Sequence, residues 1–242
     1  MRLIPLHVRR LVPFALLLAA GAIALPADAG AQAADADPCA REPDAFACTR
    51  AREWRQVETW SNLVRREGGA LSLQLDGGRR LTLTDVPATH GPESGKPLAE
   101  RETTYALRAY LPRLNVYVVE LAFRDGGAFV LIEAGSGRQT PLNGEPRFSP
   151  DGARFVEASQ ADRTGTVPSQ ISVWRMAEGG PVREFQAKPA PGESWDPVDP
   201  IWTSTATIRF VRRSSDRAGL SLRESAALLR LGSTGWEMRA AP

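Results

Sequence analysis

Histidine is scarce in this sequence, and its scarcity argues against two large classes of functional site. The 242 residues include two histidines, and His90 is the one that lies outside residues 1–33. A histidine base needs a serine or cysteine partner and an orienting acid, and no G-x-S-x-G turn is present. A zinc site usually needs three or four nitrogen or sulfur ligands. His90 is therefore predicted to be a solvated loop residue.

Loops that bind calcium or phosphate are also missing, and the carboxylates are scattered. Asp76, Asp125 and Asp151 each precede a glycine, where an aspartate stabilises a turn. Glu133 and Glu157 fall in strand-like runs and are predicted to face solvent. A glycosidase needs two carboxylates roughly 5–10 Å apart, and the sequence places no such pair. No cofactor and no metal are expected, and a non-enzymatic protein is favoured over an enzyme.

Lysine is represented only by Lys96 and Lys188, and arginine replaces it throughout. Together with the abundant alanine, this indicates a codon-composition bias rather than a phosphate-binding design. Residues 1–33 hold three arginines and one acid, so the remainder has 27 basic and 27 acidic residues. A formally neutral chain gives no support for binding nucleic acid or anionic lipid.

The N-terminal residues have the pattern of a secretory signal peptide. Arg2, Arg9 and Arg10 precede an apolar run from Leu11 to Leu25. This run of about 15 residues is shorter than the roughly 20 that a membrane span needs, which disfavours the alternative of an uncleaved anchor. We predict a signal peptide over 1–33, cleaved after Ala33 with Ala29 as the second site, and a periplasmic or secreted protein that does not insert into the membrane.

Cysteine is limited to Cys39 and Cys48, and both lie close behind the predicted cleavage site. In an exported protein such a pair indicates a disulfide, which would pin an N-terminal leader over residues 34–53. The alternative is a redox or metal pair. The spacing is too long for C-x-x-C, and no histidine lies nearby.

The stretch from Glu145 to Val156 is the clearest local signal for a hairpin. Residues Ser149 to Gly152 fit a type I turn, with Pro150 at the second position and Gly152 where positive φ is needed. Phe148 and Phe155 flank the turn and are predicted to anchor it in a core.

Similar pairs of apolar strands around glycine-rich turns recur at intervals of roughly 40–60 residues, the range of repeat arrays. A short helix is predicted over 44–53, and residues 54–66 fit either a helix or a strand. The pattern predicts an all-β domain over 54–242, a small propeller-like array of about four four-stranded antiparallel units. A partial propeller or a curved β-sandwich is the alternative. The predicted units are about 54–86, 104–142, 146–187 and 199–240.

The segment Phe148-Ser-Pro-Asp-Gly-Ala-Arg-Phe155 resembles the repeat signature of TolB-like and WD-repeat-like β-propellers. Residues 131–138 resemble the hairpin that usually precedes that signature, and residues 110–156 resemble a family of exported bacterial proteins of unknown function. The resemblance implies a propeller fold and an interaction role in the periplasm. Residues 202–207 stand where a second F-S-P-D-G turn would be, but they lack its proline and glycine.

One stretch, residues 191–202, combines tryptophans and acids in a proline-stiffened loop. Exposed aromatic rings beside acids can stack on sugars or hold a basic peptide, so Trp195, Asp196, Asp199 and Trp202 are the candidate binding residues. The alternative is that Trp202 belongs to the core and Trp195 fills a gap between units. We predict a binding module for a protein or glycan of the cell envelope, with a hydrolase or lyase that uses carboxylates at a propeller channel as the alternative.

Overall fold

Strands dominate the computed structural model, which describes residues 45–87, 102–123, 126–161, 167–215 and 222–241. The predicted signal peptide, Cys39, His90 and Asp125 lie outside the described residues, so the disulfide and the export signal stay predictions. Within the described part of the chain no helix is long and apolar enough to cross a membrane. The one described α-helix, α1, spans Ala45–Thr59, so it begins in the predicted leader and continues to where the ambiguous stretch turns toward strand.

The first half of the described chain forms two antiparallel sheets in which each strand pairs with the next one along the sequence. The first sheet consists of β1 (Val64–Glu67), β2 (Ala70–Gln74) and β3 (Arg80–Thr84). The second sheet consists of β4 (Thr104–Leu111), β5 (Val116–Phe123), β6 (Gly126–Glu133) and β7 (Gln139–Leu142).

The second half repeats the same up-and-down order in two four-stranded sheets. The third sheet consists of β8 (Arg147–Phe148), β9 (Arg154–Ser159), β10 (Gln170–Arg175) and β11 (Val182–Ala187). The fourth consists of β12 (Asp196–Ser204), β13 (Thr207–Ser215), β14 (Leu222–Gly232) and β15 (Gly235–Ala240). The predicted all-β array of four units is confirmed, except that the described first unit has three strands and a helix.

The turn between β8 and β9 has the predicted geometry. Gly152 has φ +70°, and its N–H donates to the carbonyl of Ser149 at 2.8 Å. The Ser149 hydroxyl donates to Asp151 Oδ1 at 2.6 Å and accepts the N–H of Arg154 at 3.0 Å. This bond from Ser149, joined by one from the Ala153 N–H, lowers the pKa of Asp151. Asp151 is therefore a turn residue, as predicted.

Three apolar clusters lie between consecutive sheets, so the sheets face one another in chain order. The first cluster joins Leu71 and Leu73 to Tyr117 and Val119, and it therefore joins the first sheet to the second. The second-to-third cluster includes the buried Phe155. The third cluster joins the third sheet to the fourth. None of these three described clusters contains residues from both the first and the fourth sheet.

Charged side chains cover the free edge of β4. The N–H of Leu107 donates to Glu53 Oε1 at 3.1 Å, and the N–H of Tyr105 donates to Asp85 Oδ1 at 2.9 Å. Arg66 donates to the carbonyl of Tyr105 and to Glu53 Oε1, the latter at 2.7 Å. An open strand edge invites pairing with another chain, and this network occupies it with side chains from α1 and the first sheet.

Candidate functional site

The tryptophans of segment 191–202 do not form an exposed aromatic patch. Trp195 is 3% exposed and belongs to the core between the third and fourth sheets. Trp202 is partly buried, donates its indole N–H to the carbonyl of Arg147 at 2.8 Å, and meets Trp236 edge to face at 5.8 Å. The positions of both rings match the alternative interpretation, in which the two tryptophans are packing residues. The binding role of the segment stays a prediction.

The segment nevertheless borders an open space at each end. The first, which we call the Trp195 cleft, has a volume of about 300 Å³. Along β13 the inward side chains change from apolar, at Ile208 and Phe210, to polar, at Arg212 and Ser214, because successive inward positions are two residues apart. Trp195 closes the apolar part, and the polar part lines the cleft. The lining residues are Glu193, Ser194, Trp195, Arg212, Ser214 and Ser225.

Arg212 is the dominant charge in the Trp195 cleft. Its guanidinium lies 4.6 Å from the centroid of the Trp195 ring, within the range of a cation–π contact. Its side chain is 32% exposed, and the nearest acid, Glu193, lies 3.8 Å away with 57% of its side chain exposed. Pairs between exposed charges contribute little. The Arg212 Nε atom is buried and has no hydrogen-bond acceptor in the described part of the chain.

The second space, which we call the Asp199 cleft, lies between β12 and the third sheet and has a volume of about 170 Å³. Its charged and polar lining consists of Glu145, Arg147, Gln160 and Asp199. Asp199 has φ +48°, at an irregularity where the pairing of β12 shifts between Val198 and Ile201. An aspartate with positive φ is uncommon, and such strain is concentrated at functional sites.

The remaining candidate, Asp196, has a structural contact. Its Oδ1 atom accepts the N–H of Ala161 at 3.2 Å, which joins the start of β12 to the chain that follows β9. Sequence reasoning missed Arg147 and Arg212 as site residues. The two-residue alternation of β13 was the available signal for Arg212, because it places a charge in line with Ile208 and Phe210.

The prediction that Glu157 faces solvent is wrong. Its side chain is 2% exposed and faces the second sheet on the same side of β9 as Phe155. Burial raises the pKa of Glu157, although hydrogen bonds from Trp174 and the N–H of Asn143 act in the opposite direction. Because this carboxylate is enclosed and bonded to the connection before β8, its role is structural.

Glu120 is the other carboxylate with a raised pKa. Burial is the main cause, nearby Arg108 and Arg52 act against it, and Glu145 adds to it. Arg108 lies 3.6 Å from Glu120 and 2.8 Å from Glu145, so one guanidinium stands between two acids. No group of three or more histidine, cysteine or acidic residues able to hold a metal occurs in the described ranges.

Comparison with known proteins gives a structural similarity but no family. Neither a protein-family model nor a curated protein matches this chain. Among solved structures the chain is similar to endo-arabinase from Bacteroides thetaiotaomicron, at 12% identity and a TM-score of 0.31, over 74% of this chain and 78% of that chain. A TM-score of this size supports no conclusion about fold or function. The strand pairing itself defines the class, an all-β, propeller-like array of antiparallel sheets.

Proposed function

We propose that this chain is exported to the periplasm or beyond and acts there as a non-enzymatic binding module for a protein or glycan of the cell envelope. The signal-like N-terminus supports the location. The F-S-P-D-G turn, which resembles those of TolB-like propellers, supports an interaction role. Segment 191–202 is the proposed binding face, because both clefts open along it.

The observation that carries this proposal is the conformation of Asp199. A residue in a sparsely populated backbone region costs about 1–3 kcal/mol, persists only where the surrounding structure holds it, and is found most often at ligand-binding and active sites. The Asp199 side chain is exposed, and no hydrogen bond or ion pair joins its carboxylate to the described residues. The carboxylate therefore makes no contact within the described residues that explains the conformation, and a ligand in the Asp199 cleft would use it.

A crosslinking pull-down from intact envelopes tests the proposal. The wild-type protein with a C-terminal tag is compared with Asp199→Gly and with Arg147→Gln, which alter the Asp199 cleft without removing a buried side chain. Arg80→Gln, on the exposed side of β3, is the matched control. The same partner should appear with wild type and the control and be lost with both cleft variants. Equal recovery with all four proteins would reject the Asp199 cleft as the binding site for that partner.

A hydrolase or lyase is the second candidate, and Glu120 is the observation that favours it. A carboxylic acid with a raised pKa beside a second carboxylate is the arrangement that acid–base catalysis requires. The test is turnover of envelope polysaccharide fragments by wild type and by Glu120→Gln. Turnover that the variant lacks would support an enzyme. Equal turnover by both proteins, or none by either, would remove Glu120 from consideration.

A further inference from the structure

We infer that the Trp195 cleft binds an acidic saccharide, and that Arg212 holds the carboxylate of a hexuronate ring. The inference rests on the proposed function, since it names the ligand class for the proposed binding face. It starts from Arg212, a cation on the inward face of a sheet that has no strong acidic partner in the described part of the chain.

The contact with Trp195 prepares Arg212 for a planar ligand group. A guanidinium has five N–H donors in a rigid fork that matches a carboxylate in a bidentate arrangement. The guanidinium lies over the indole at 4.6 Å, and Trp195 is itself fixed by burial. The side chain thus has less conformational freedom to lose when a carboxylate binds.

The neighbouring acid does not block the cleft. Glu193 lies 3.8 Å from Arg212, beyond hydrogen-bond distance, and its side chain is more than half exposed. An incoming carboxylate can displace it toward solvent at small cost. By contrast, the next arginine on β13, Arg213, is paired with Glu224 at 2.9 Å, so it is already satisfied.

The remaining lining favours a sugar over a peptide C-terminus. The hydroxyl groups of Ser194 and Ser225 can donate to and accept from the hydroxyls of a sugar ring. Ser214, whose hydroxyl donates to the carbonyl of Arg223 at 3.4 Å, can still accept. A peptide terminus would bring a side chain that needs its own pocket, and the lining contains no apolar side chain except Trp195. A volume of about 300 Å³ is at the lower end for ligand sites, which suits one sugar unit.

Isothermal titration of the purified full chain tests the inference with sodium glucuronate, glucose and a short neutral peptide with a free C-terminus. Glucuronate should bind, glucose should bind at least about tenfold more weakly, and added salt should weaken glucuronate binding. Arg212→Gln should lose at least about tenfold in affinity, and Arg212→Lys should retain part of it because charge remains without the fork. Arg213→Gln, on the opposite face of the same strand, is the control and should bind as wild type.

Three outcomes would overturn the inference: glucose binding as tightly as glucuronate, Arg212→Gln binding as tightly as wild type, or the peptide binding more tightly than glucuronate. Tryptophan fluorescence and thermal unfolding of each variant show whether the environment of Trp195 is intact, and Arg212→Lys keeps the test valid if Arg212→Gln unfolds. A partner captured in the pull-down without glucuronate binding would reject this ligand class alone. Glucuronate binding with no captured partner would reject the proposed interaction through the Asp199 cleft alone.

Discussion

The carboxylate of Glu157 accepts the indole N–H of Trp174 at 3.2 Å, and its other oxygen accepts the backbone N–H of Asn143 at 3.0 Å. Both donors lie at the interface of the second and third sheets. Glu157 thereby joins β9, β10 and the connection that leads from the second sheet into the third. The carboxylate suits this place because it accepts on both oxygens, whereas an amide accepts on one.

Replacing Glu157 by glutamine should leave one of these N–H groups without an acceptor and cost about 1–3 kcal/mol. The cost should depend on pH. The pKa of Glu157 is raised in the folded protein. As the pH rises above the ordinary carboxyl value of 4.5, the folded state of the wild type therefore keeps a proton that the unfolded state has lost. Wild-type stability falls across that window, whereas the glutamine variant carries no such dependence, so the difference between them should shrink as pH rises.

Urea unfolding at a series of pH values from about 4 to 7 measures that difference, over the range in which carboxyl groups with raised pKa titrate. Glu67→Gln, whose side chain is 73% exposed, is the control for the general effect of removing an acid. A difference that stays constant with pH would contradict a raised pKa of Glu157.

Removing Glu53 should be far more damaging than removing another acid from the same helix. Glu53→Ala removes the closest carboxylate from Arg66, which is 15% exposed, and leaves the N–H of Leu107 without its acceptor. Breaking a buried pair from one side costs about 3–5 kcal/mol. Glu58→Ala, at an exposed position of α1, should stay within about 0.5 kcal/mol of wild type. The measurement is urea unfolding, joined by hydrogen exchange of the β4 amides. Equal costs for the two variants would show that the covered edge adds no stability.

Alanine substitutions at two glycines distinguish the cost of a steric clash from the cost of backbone strain. A Cβ atom on Gly144 would lie 2.0 Å from the carbonyl oxygen of Ala158, whereas one on Gly68, at φ +55°, would meet nothing within 4 Å. Gly68→Ala should cost about 1–2 kcal/mol from the left-handed conformation alone. Gly144→Ala should cost more than about 4 kcal/mol, because backbone at the junction of two sheets must move. Thermal unfolding compares them, and similar melting temperatures would contradict this assignment of the clash.

Local patterns in the sequence were sufficient for the strands and turns, because these depend on neighbouring residues. The turn at Ser149 to Gly152 is specified by proline and glycine, and the paired strands by alternating apolar positions. The stretch after Trp54, which fitted either a helix or a strand, contains both, since α1 runs to Thr59 and β1 begins at Val64. No local pattern indicates that a helix and three strands make the first unit.

The environments of single side chains depend on contacts between sheets, which the sequence pattern does not specify. The position of Glu157 fits the alternating pattern of a strand. The pattern does not show which face of β9 is covered, because the second sheet provides that cover. Trp195 follows a polar loop and nevertheless lies in a core, because the fourth sheet closes over it. Arg212 was missed for the same reason, because it lies beside Trp195 only when β13 packs against the segment that carries Trp195.

Asp199 and Asn115 are the two described residues other than glycine with positive φ, and replacing each by glycine should have opposite effects on stability. Glycine relieves the strain at both positions by about 1 kcal/mol. Asn115 also bonds Asp76 and Tyr110, each at 2.9 Å, so Asn115→Gly loses two hydrogen bonds and should be destabilised. Asp199→Gly loses no such contact and should unfold at the same or a higher urea concentration.

If the strain at Asp199 is kept for binding, Asp199→Gly should combine this retained stability with loss of the envelope partner, whereas Asn115→Gly should keep the partner despite its lower stability. Asp199→Asn, which tolerates the same φ and keeps a polar side chain, tests the charge of the carboxylate alone. Binding retained by asparagine and lost by glycine would assign recognition to a polar side chain at this position, and binding lost by both would assign it to the charge. An Asp199→Gly protein that is less stable than wild type would show that Asp199 has a structural role, and the strain would then no longer support a binding site.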